Sequence, residues 1–162
     1  MVKRQLVKIL KEYAKKYPTL TLTGPRQSGK TTLLKSLFKS YRYVSLENQD
    51  NRQFALQDPN GFLEEYDNYV IFDEIQQAPV LFSYIQTKID TDAIMGQYIL
   101  SGSQNFCLLE NITQSLAGRT IILKLLPFDF FELKQANLLP KDYAKKYCKR
   151  FLSSHLRQKH LA

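Results

Sequence analysis

The sequence predicts an α/β fold: a parallel sheet of five strands enclosed by helices in three layers. Three observations carry this reading. Short apolar or β-branched runs alternate with helical patterns along the chain, the signature of strand–helix–strand units. A glycine-rich loop, Gly24-Pro25-Arg26-Gln27-Ser28-Gly29-Lys30-Thr31, lies between one such run and one such helix. A continuous apolar stretch, Tyr69-Val70-Ile71-Phe72, ends in two carboxylates, Asp73-Glu74. An apolar run of that kind predicts a strand buried on both faces, with its tip at a site.

The loop fits Gly-x4-Gly-Lys-Ser/Thr without a mismatch. The strand pattern Leu20-Thr21-Leu22-Thr23 precedes it, and Leu33, Leu34, Leu37 and Phe38 follow at helical spacing. This is the context a phosphate-binding loop requires. Gly24 and Gly29 are expected to let the backbone wrap closely around phosphate oxygens. The amides of Gln27, Ser28, Gly29 and Lys30 then converge at a helix N-terminus, where unpaired N–H groups and the helix dipole favour an anion. Pro25, Arg26 and Thr32 complete the expected nucleotide-binding set. Lys30 supplies a cation for the β/γ-phosphates, and Thr31 a hydroxyl for Mg²⁺.

With 162 residues, the chain is long enough for one domain with a real core. Its net charge of +8 is unevenly placed: residues 1–17 sum to +5, residues 141–162 to +6 and the middle to −3. A basic end can meet nucleic acid or anionic lipid, or be a solvated helix face. Cys107 and Cys148 are far apart, and the two histidines are scattered. That excludes a Cys-x-x-Cys motif and suggests no zinc site, and it fits a reducing, cytoplasmic location. Lysines interrupt the first 17 residues, unlike a secretory leader, and no apolar run is long enough to span a membrane.

The elements are expected in this order. Residues 2–17 form an amphipathic helix with Leu6, Ile9, Leu10 and Tyr13 on one face, stopped by Pro18; a DNA-binding arm is the alternative. Leu20–Thr23 is the first strand, 29–39 the helix after the loop, and Tyr41–Leu46 the second strand. Asp50 is a candidate cap for a helix running to Gln57, and Glu47 either reaches the site or is a surface acid. Asp58-Pro59 starts a further helix, ending near Tyr66. At the tip of the third strand, Asp73 is placed to hold a Mg²⁺-bound water opposite Thr31, and Glu74 to polarise an attacking water; capping the next helix is the alternative for both. Residues 79–89 form a helix. Gln97–Ser101 form the fourth strand, followed by the polar cluster Gly102-Ser103-Gln104-Asn105. There, Ser103 and Gln104 either sense the γ-phosphate or serve turn chemistry. Ile112–Ala117 is a short helix. Arg119 opens the fifth strand, 120–126, and either stabilises transition-state charge, in its own subunit or a neighbour, or forms a structural ion pair. An aromatic helix begins after Pro127. Residues 141–152 form a last helix with the stripe Tyr143, Tyr147 and Phe151, either docked or presented to a protein partner or second copy.

The motifs Val44-Ser45-Leu46-Glu47, Asp73-Glu74-Ile75-Gln76-x-Ala78-Pro79, Leu100-Ser101-Gly102-Ser103-Gln104, Ser115-Leu116-Ala117-Gly118-Arg119 and Leu126-Pro127-Phe128 join the loop in one order. Over residues 1–135 the chain resembles prokaryotic AAA-type ATP-binding proteins, whose AAA_14 domain is normally followed by a DUF4143 domain. The resemblance implies a P-loop NTPase of the ASCE/AAA-like class with strand order 5-1-4-3-2, and binding of ATP and Mg²⁺ with hydrolysis. It also implies Asp73 and Glu74 as the Walker B pair, a sensor near Ser103 and Gln104, and a functional Arg119. Residues 136–162 depart from the family pattern and read as a basic helical tail, the stub of a further module. The expected function is an ATPase whose nucleotide state drives a conformational switch. The alternatives are a P-loop small-molecule kinase and a nucleotide-dependent DNA-binding module without turnover.

Overall fold

The computed structural model describes residues 6–103, 112, 114–128 and 130–138, together with Arg4. The chain divides into two compact units, residues 5–127 and residues 1–4 with 128–162. The larger unit holds β1 (Thr19–Gly24), β2 (Arg42–Ser45), β3 (Val70–Asp73), β4 (Tyr98–Ser103) and β5 (Thr120–Lys124). Among its described residues the helices include α1 (Leu6–Tyr13), α2 (Lys30–Leu37), α3 (Gln49–Gln57), α4 (Pro59–Glu65) and α5 (Leu81–Asp92), with a 3₁₀ turn at Ile75–Gln77. All strand pairings are parallel, in the order β2-β3-β4-β1-β5. This is the expected 5-1-4-3-2 order read from the other edge.

Strand alternation builds the layers. On β3, Val70 and Phe72 join one apolar cluster, while Ile71 between them joins the other. On β4, Tyr98 and Leu100 go with the first cluster and Ile99 with the second. Two-residue periodicity therefore gives each strand two buried faces, as its uninterrupted apolar run requires. Helices α3, α4 and α5 cover the first face through Ala55, Phe62, Leu63, Phe82 and Ile85. Helices α1 and α2 cover the second through Leu10, Leu33 and Leu34. Phe72 stacks on Tyr98 with ring centroids 5.5 Å apart, locking β3 against β4 at the centre of the sheet.

Several element ends differ from the sequence reading, for local reasons. Asn48, not Asp50, caps α3, its side chain accepting the Asn51 amide at 3.1 Å. Asp50 sits in the first turn, where a carboxylate still favours the helix dipole. Asp58 caps α4 as expected, accepting from the Gly61 amide at 2.9 Å. Helix α1 ends at Tyr13, and a turn carries the chain to Pro18. Strand β4 extends through Ser103, so Gly102 and Ser103 are ladder residues rather than a turn. They pair with Thr23 and Gly24 of β1, which keeps the backbone extended up to the site. No helix among the described residues is long and apolar enough to cross a membrane.

In the smaller unit, α6 (Phe130–Gln135) carries Glu132, which pairs with Arg4 at 3.4 Å. The Arg4 guanidinium also lies 4.3 Å from the centroid of the Phe128 ring. Gln104, Asn105 and the 141–152 stripe lie outside the described residues.

Candidate nucleotide and metal site

The site forms at the carboxyl ends of β1, β3 and β4, where the second-face register converges. Ile71 and Ile99 face the α1/α2 layer, so Asp73 and Ser101, two residues on, face the same way. Helix α2 begins in that layer, which brings Thr31 to Asp73: Thr31 Oγ1 donates to Asp73 Oδ2 at 2.7 Å. The two groups expected to share a divalent ion are thus in direct contact.

The loop before α2 is shaped by two glycines for different reasons. At Gly24 the constraint is space, since a Cβ would lie 2.2 Å from the Leu125 carbonyl oxygen. At Gly29 no atom lies within 4 Å of the Cβ position, and the constraint is the backbone, with φ of 88°. Gly24→Ala is therefore expected to destabilise the protein by about 1–3 kcal/mol, because the loop or the end of β5 must move; urea unfolding measures it. Lys30 is only 6% exposed. Its Nζ donates to the carbonyls of Gly24 and Pro25, both at 3.0 Å, which holds the amine across the loop. Ser28 Oγ is buried with no hydrogen-bond partner among the described residues.

Asp73 is 5% exposed. Burial alone would push its carboxyl up. Hydrogen bonds from Ser101, Thr31, Tyr43 and the Glu74 amide outweigh burial and hold it below its ordinary value of 3.8. Ser101 Oγ and the Glu74 amide (3.2 Å) donate to Oδ1; Thr31 and Tyr43, each at 2.7 Å, donate to Oδ2. A depressed folded pKa gives stability that is complete above the unfolded value and is lost as pH falls through the folded one. The stability difference between wild type and Asp73→Asn is accordingly expected to shrink as pH falls below the ordinary carboxylate range, as read by urea unfolding at a series of acidic pH values. Tyr43 shows the converse: burial first, then the bond to Asp73, pushes its phenol well up and keeps it a donor.

Glu74 leaves the strand in the left-handed region, at φ 55° and ψ 46°. A non-glycine residue held there costs on the order of 1 kcal/mol, and such outliers cluster at functional sites. The turn breaks strand alternation and sends Glu74 to the cleft instead of the core. The Gln76 side-chain amide donates to Glu74 Oε2 and, at 3.1 Å, to Ser103 Oγ. Arg26, Gln27, Gly29, Lys30, Thr31 and Thr32 of the loop, with Glu47 and Glu74 of the strand tips, line a cleft of about 420 Å³. That size suits a small organic ligand.

The structure therefore brings together the loop residues, Thr31, Asp73, Glu74 and Ser103, and also places Glu47 at the cleft. Arg119 is not brought there. Its carbonyl accepts the amide and hydroxyl of Thr19 at the start of β1. The loop begins at Gly24, roughly 16 Å further along at 3.3 Å per residue. The guanidinium instead forms a two-pronged pair with Asp90, at 2.6 and 2.8 Å. In its own subunit Arg119 makes the structural ion pair and does not face the cleft.

Sequence reasoning missed the roles of Tyr43 and Ser101, read only as strand residues, and Gln76, read only as part of a motif. The available signal was periodicity: Ser101 lies two residues beyond Ile99 on an inward face.

The donor set fits a magnesium-bound phosphate ligand. Among the described residues no three His, Cys, Asp or Glu side chains group as a cage. A divalent ion here would be held by Thr31 and, through a bound water, by the Asp73 carboxylate, with ligand phosphates and further water supplying the rest, as is usual for Mg²⁺.

Comparisons with known proteins agree with this geometry. A family model described as an AAA domain, AAA_14, matches residues 16–134. Two mycobacterial proteins, Mb2031c of Mycobacterium bovis and Rv2008c of Mycobacterium tuberculosis, both described as uncharacterized, are each 31% identical over 109 residues, or 67% of this chain. The match spans 25% of their length, so the chain corresponds to about a quarter of those relatives. Among solved structures, the Walker-type ATPase PABY2304 of Pyrococcus abyssi aligns at TM-score 0.58 with 18% identity, covering 88% of this chain and 61% of that one. AMPPCP-bound DnaA from Aquifex aeolicus aligns at 0.53 with 19% identity, covering 97% and 59%. These likenesses show the fold. Loop, strand order, acidic strand tip and family match together place this chain in the AAA domain family of P-loop NTPases.

Proposed function

We propose that the protein binds ATP with Mg²⁺ and hydrolyses it, using the bound state to switch contacts with a partner. The observation that carries this reading is the direct Thr31–Asp73 contact beneath a loop whose buried Lys30 amine is braced by its own carbonyls. The loop amides and Lys30 bind the phosphates. Thr31 and Asp73 hold the ion, which neutralises phosphate charge when bound. Glu74, fixed by Gln76, accepts a proton from the attacking water, and Ser103 orients that water or the terminal phosphate. In this reading residues 1–135 are the ATPase domain and 136–162 a basic tail for a protein partner, a second copy or nucleic acid. Arg119 acts, if on phosphate, on a neighbouring subunit's site. The nucleotide-bound DnaA of the same fold supports ATP as the ligand class.

The test is calorimetric titration with ATP, with and without Mg²⁺, followed by phosphate release with and without a metabolite panel. Mg²⁺-dependent binding and water-only release support the proposal. ADP release that depends on an acceptor would replace it with a kinase, and absence of binding would sink it.

A further inference from the structure

Asp73 carries four donors. Ser101 Oγ and the Glu74 amide reach Oδ1, and the Thr31 hydroxyl and Tyr43 phenol reach Oδ2. An ionised carboxylate offers about four lone-pair positions, so this one is full. On the reading of the cleft as a magnesium–nucleotide site, a water in the ion's shell must also donate to Asp73, and one donor must yield. The Glu74 amide is backbone, at a fixed turn. Ser101 is fully buried. Thr31 can keep its proton on Asp73 while its lone pairs face the ion. Tyr43 differs from all three: it is half-buried, on a long side chain, and stands on β2, the outermost strand of its edge. The Lys35 ammonium lies 3.4 Å from its ring centroid, a contact that involves the ring face and not the hydroxyl.

We infer that Tyr43 sets the divalent-ion threshold of the site: its phenol occupies the Asp73 acceptor position that the ion's water needs, and ion loading displaces it. Removing the hydroxyl favours the ion twice over. No bond has to be broken, and the carboxylate keeps more negative charge for the incoming shell.

The experiment titrates Mg²⁺ into the full chain with the fluorescent nucleotide mant-ADP, for wild type and Tyr43→Phe. Affinity for mant-ADP without Mg²⁺ is expected to be the same in both, because Tyr43 is not part of the loop. The half-saturating Mg²⁺ concentration is expected to fall about tenfold in Tyr43→Phe, the scale of one charge-assisted hydrogen bond. An unmoved or raised Mg²⁺ requirement, with metal-free binding intact, overturns the Tyr43 assignment alone; a raised one would make the phenol a support for Asp73. No mant-ADP binding by wild type, with or without Mg²⁺, overturns the nucleotide reading and this inference with it. Should Tyr43→Phe not fold, 3-fluorotyrosine placed at residue 43 supplies a second readout. Its ¹⁹F resonance shifts on adding Mg²⁺ to the nucleotide complex if the phenol is displaced, and an unmoved resonance overturns the inference.

Discussion

Lys30→Ala is expected to raise the dissociation constant for Mg-ATP by about 10²–10³-fold, the largest binding effect of any single substitution in this chain. The size follows from the site. Charge-assisted hydrogen bonds contribute roughly 1.5–3 kcal/mol each, and an ammonium facing a polyphosphate makes more than one. Lys30 as a whole is 6% exposed, so the contact of its amine with phosphate is weakly screened. Part of the loss comes from the loop itself. Nζ ties the Gly24 and Pro25 carbonyls together, and alanine releases that brace. Lys30→Arg separates the two contributions: it keeps the charge, but its planar fork does not match two carbonyls 3.0 Å from one nitrogen. It should fall between wild type and alanine. Calorimetry measures the affinities, and thermal unfolding without ligand confirms that each variant is folded. A Lys30→Ala protein that binds within about twofold of wild type would remove the loop from the nucleotide site.

Glu74→Gln is expected to lower turnover by about 10²–10⁴-fold while leaving nucleotide affinity nearly unchanged. The substitution keeps the shape and an acceptor oxygen for the Gln76 amide, so the link through Gln76 to Ser103 survives. It removes the capacity to take a proton from water. The left-handed backbone at residue 74 is retained, since glutamine has no added branch at Cβ. Single-turnover phosphate release, measured beside mant-ADP affinity, separates chemistry from binding. Undiminished release would show that another group activates the water and that Glu74 is only the N-terminal residue of the following turn.

Much of this site is legible without any tertiary contact, because its main parts are contiguous. The spacing of Gly24, Gly29, Lys30 and Thr31 specifies a loop within eight residues, and the strand and helix around it are set by alternation and helical spacing nearby. Asp73 is legible for a related reason. A carboxylate ending an apolar strand has to find donors or a cation at the strand's tip, since burial without partners is too costly. Periodicity gives the face of Ser101 but not its partner, and nothing beside Tyr43 or Ser101 in sequence says that both touch Asp73. The α3 cap falls two residues from its expected place, because Asn48 and Asp50 both suit a helix start and only the path of the chain after Ser45 chooses between them.

Arg119 marks the boundary most clearly. It follows a glycine and precedes a strand, so its residue type alone admits both a catalytic and a structural role. Within one subunit parallel pairing gives it the structural place, because the start of β5 lies beside the start of β1, at the end of the sheet away from the loop.

By itself the sequence determined the strand–loop–helix phosphate cradle, the acidic strand tip and the α/β class, each written in residues a few positions apart. The strand order came from the family resemblance and not from any residue pattern, and the tertiary structure alone decided which side chains meet at the neighbouring tips. Strand β4 lies between β1 and β3, which puts Ser101 on Asp73 and Ser103 within reach of Gln76. Strand neighbours are chosen by the packing of whole faces against helices, a non-local condition that no short window of sequence contains.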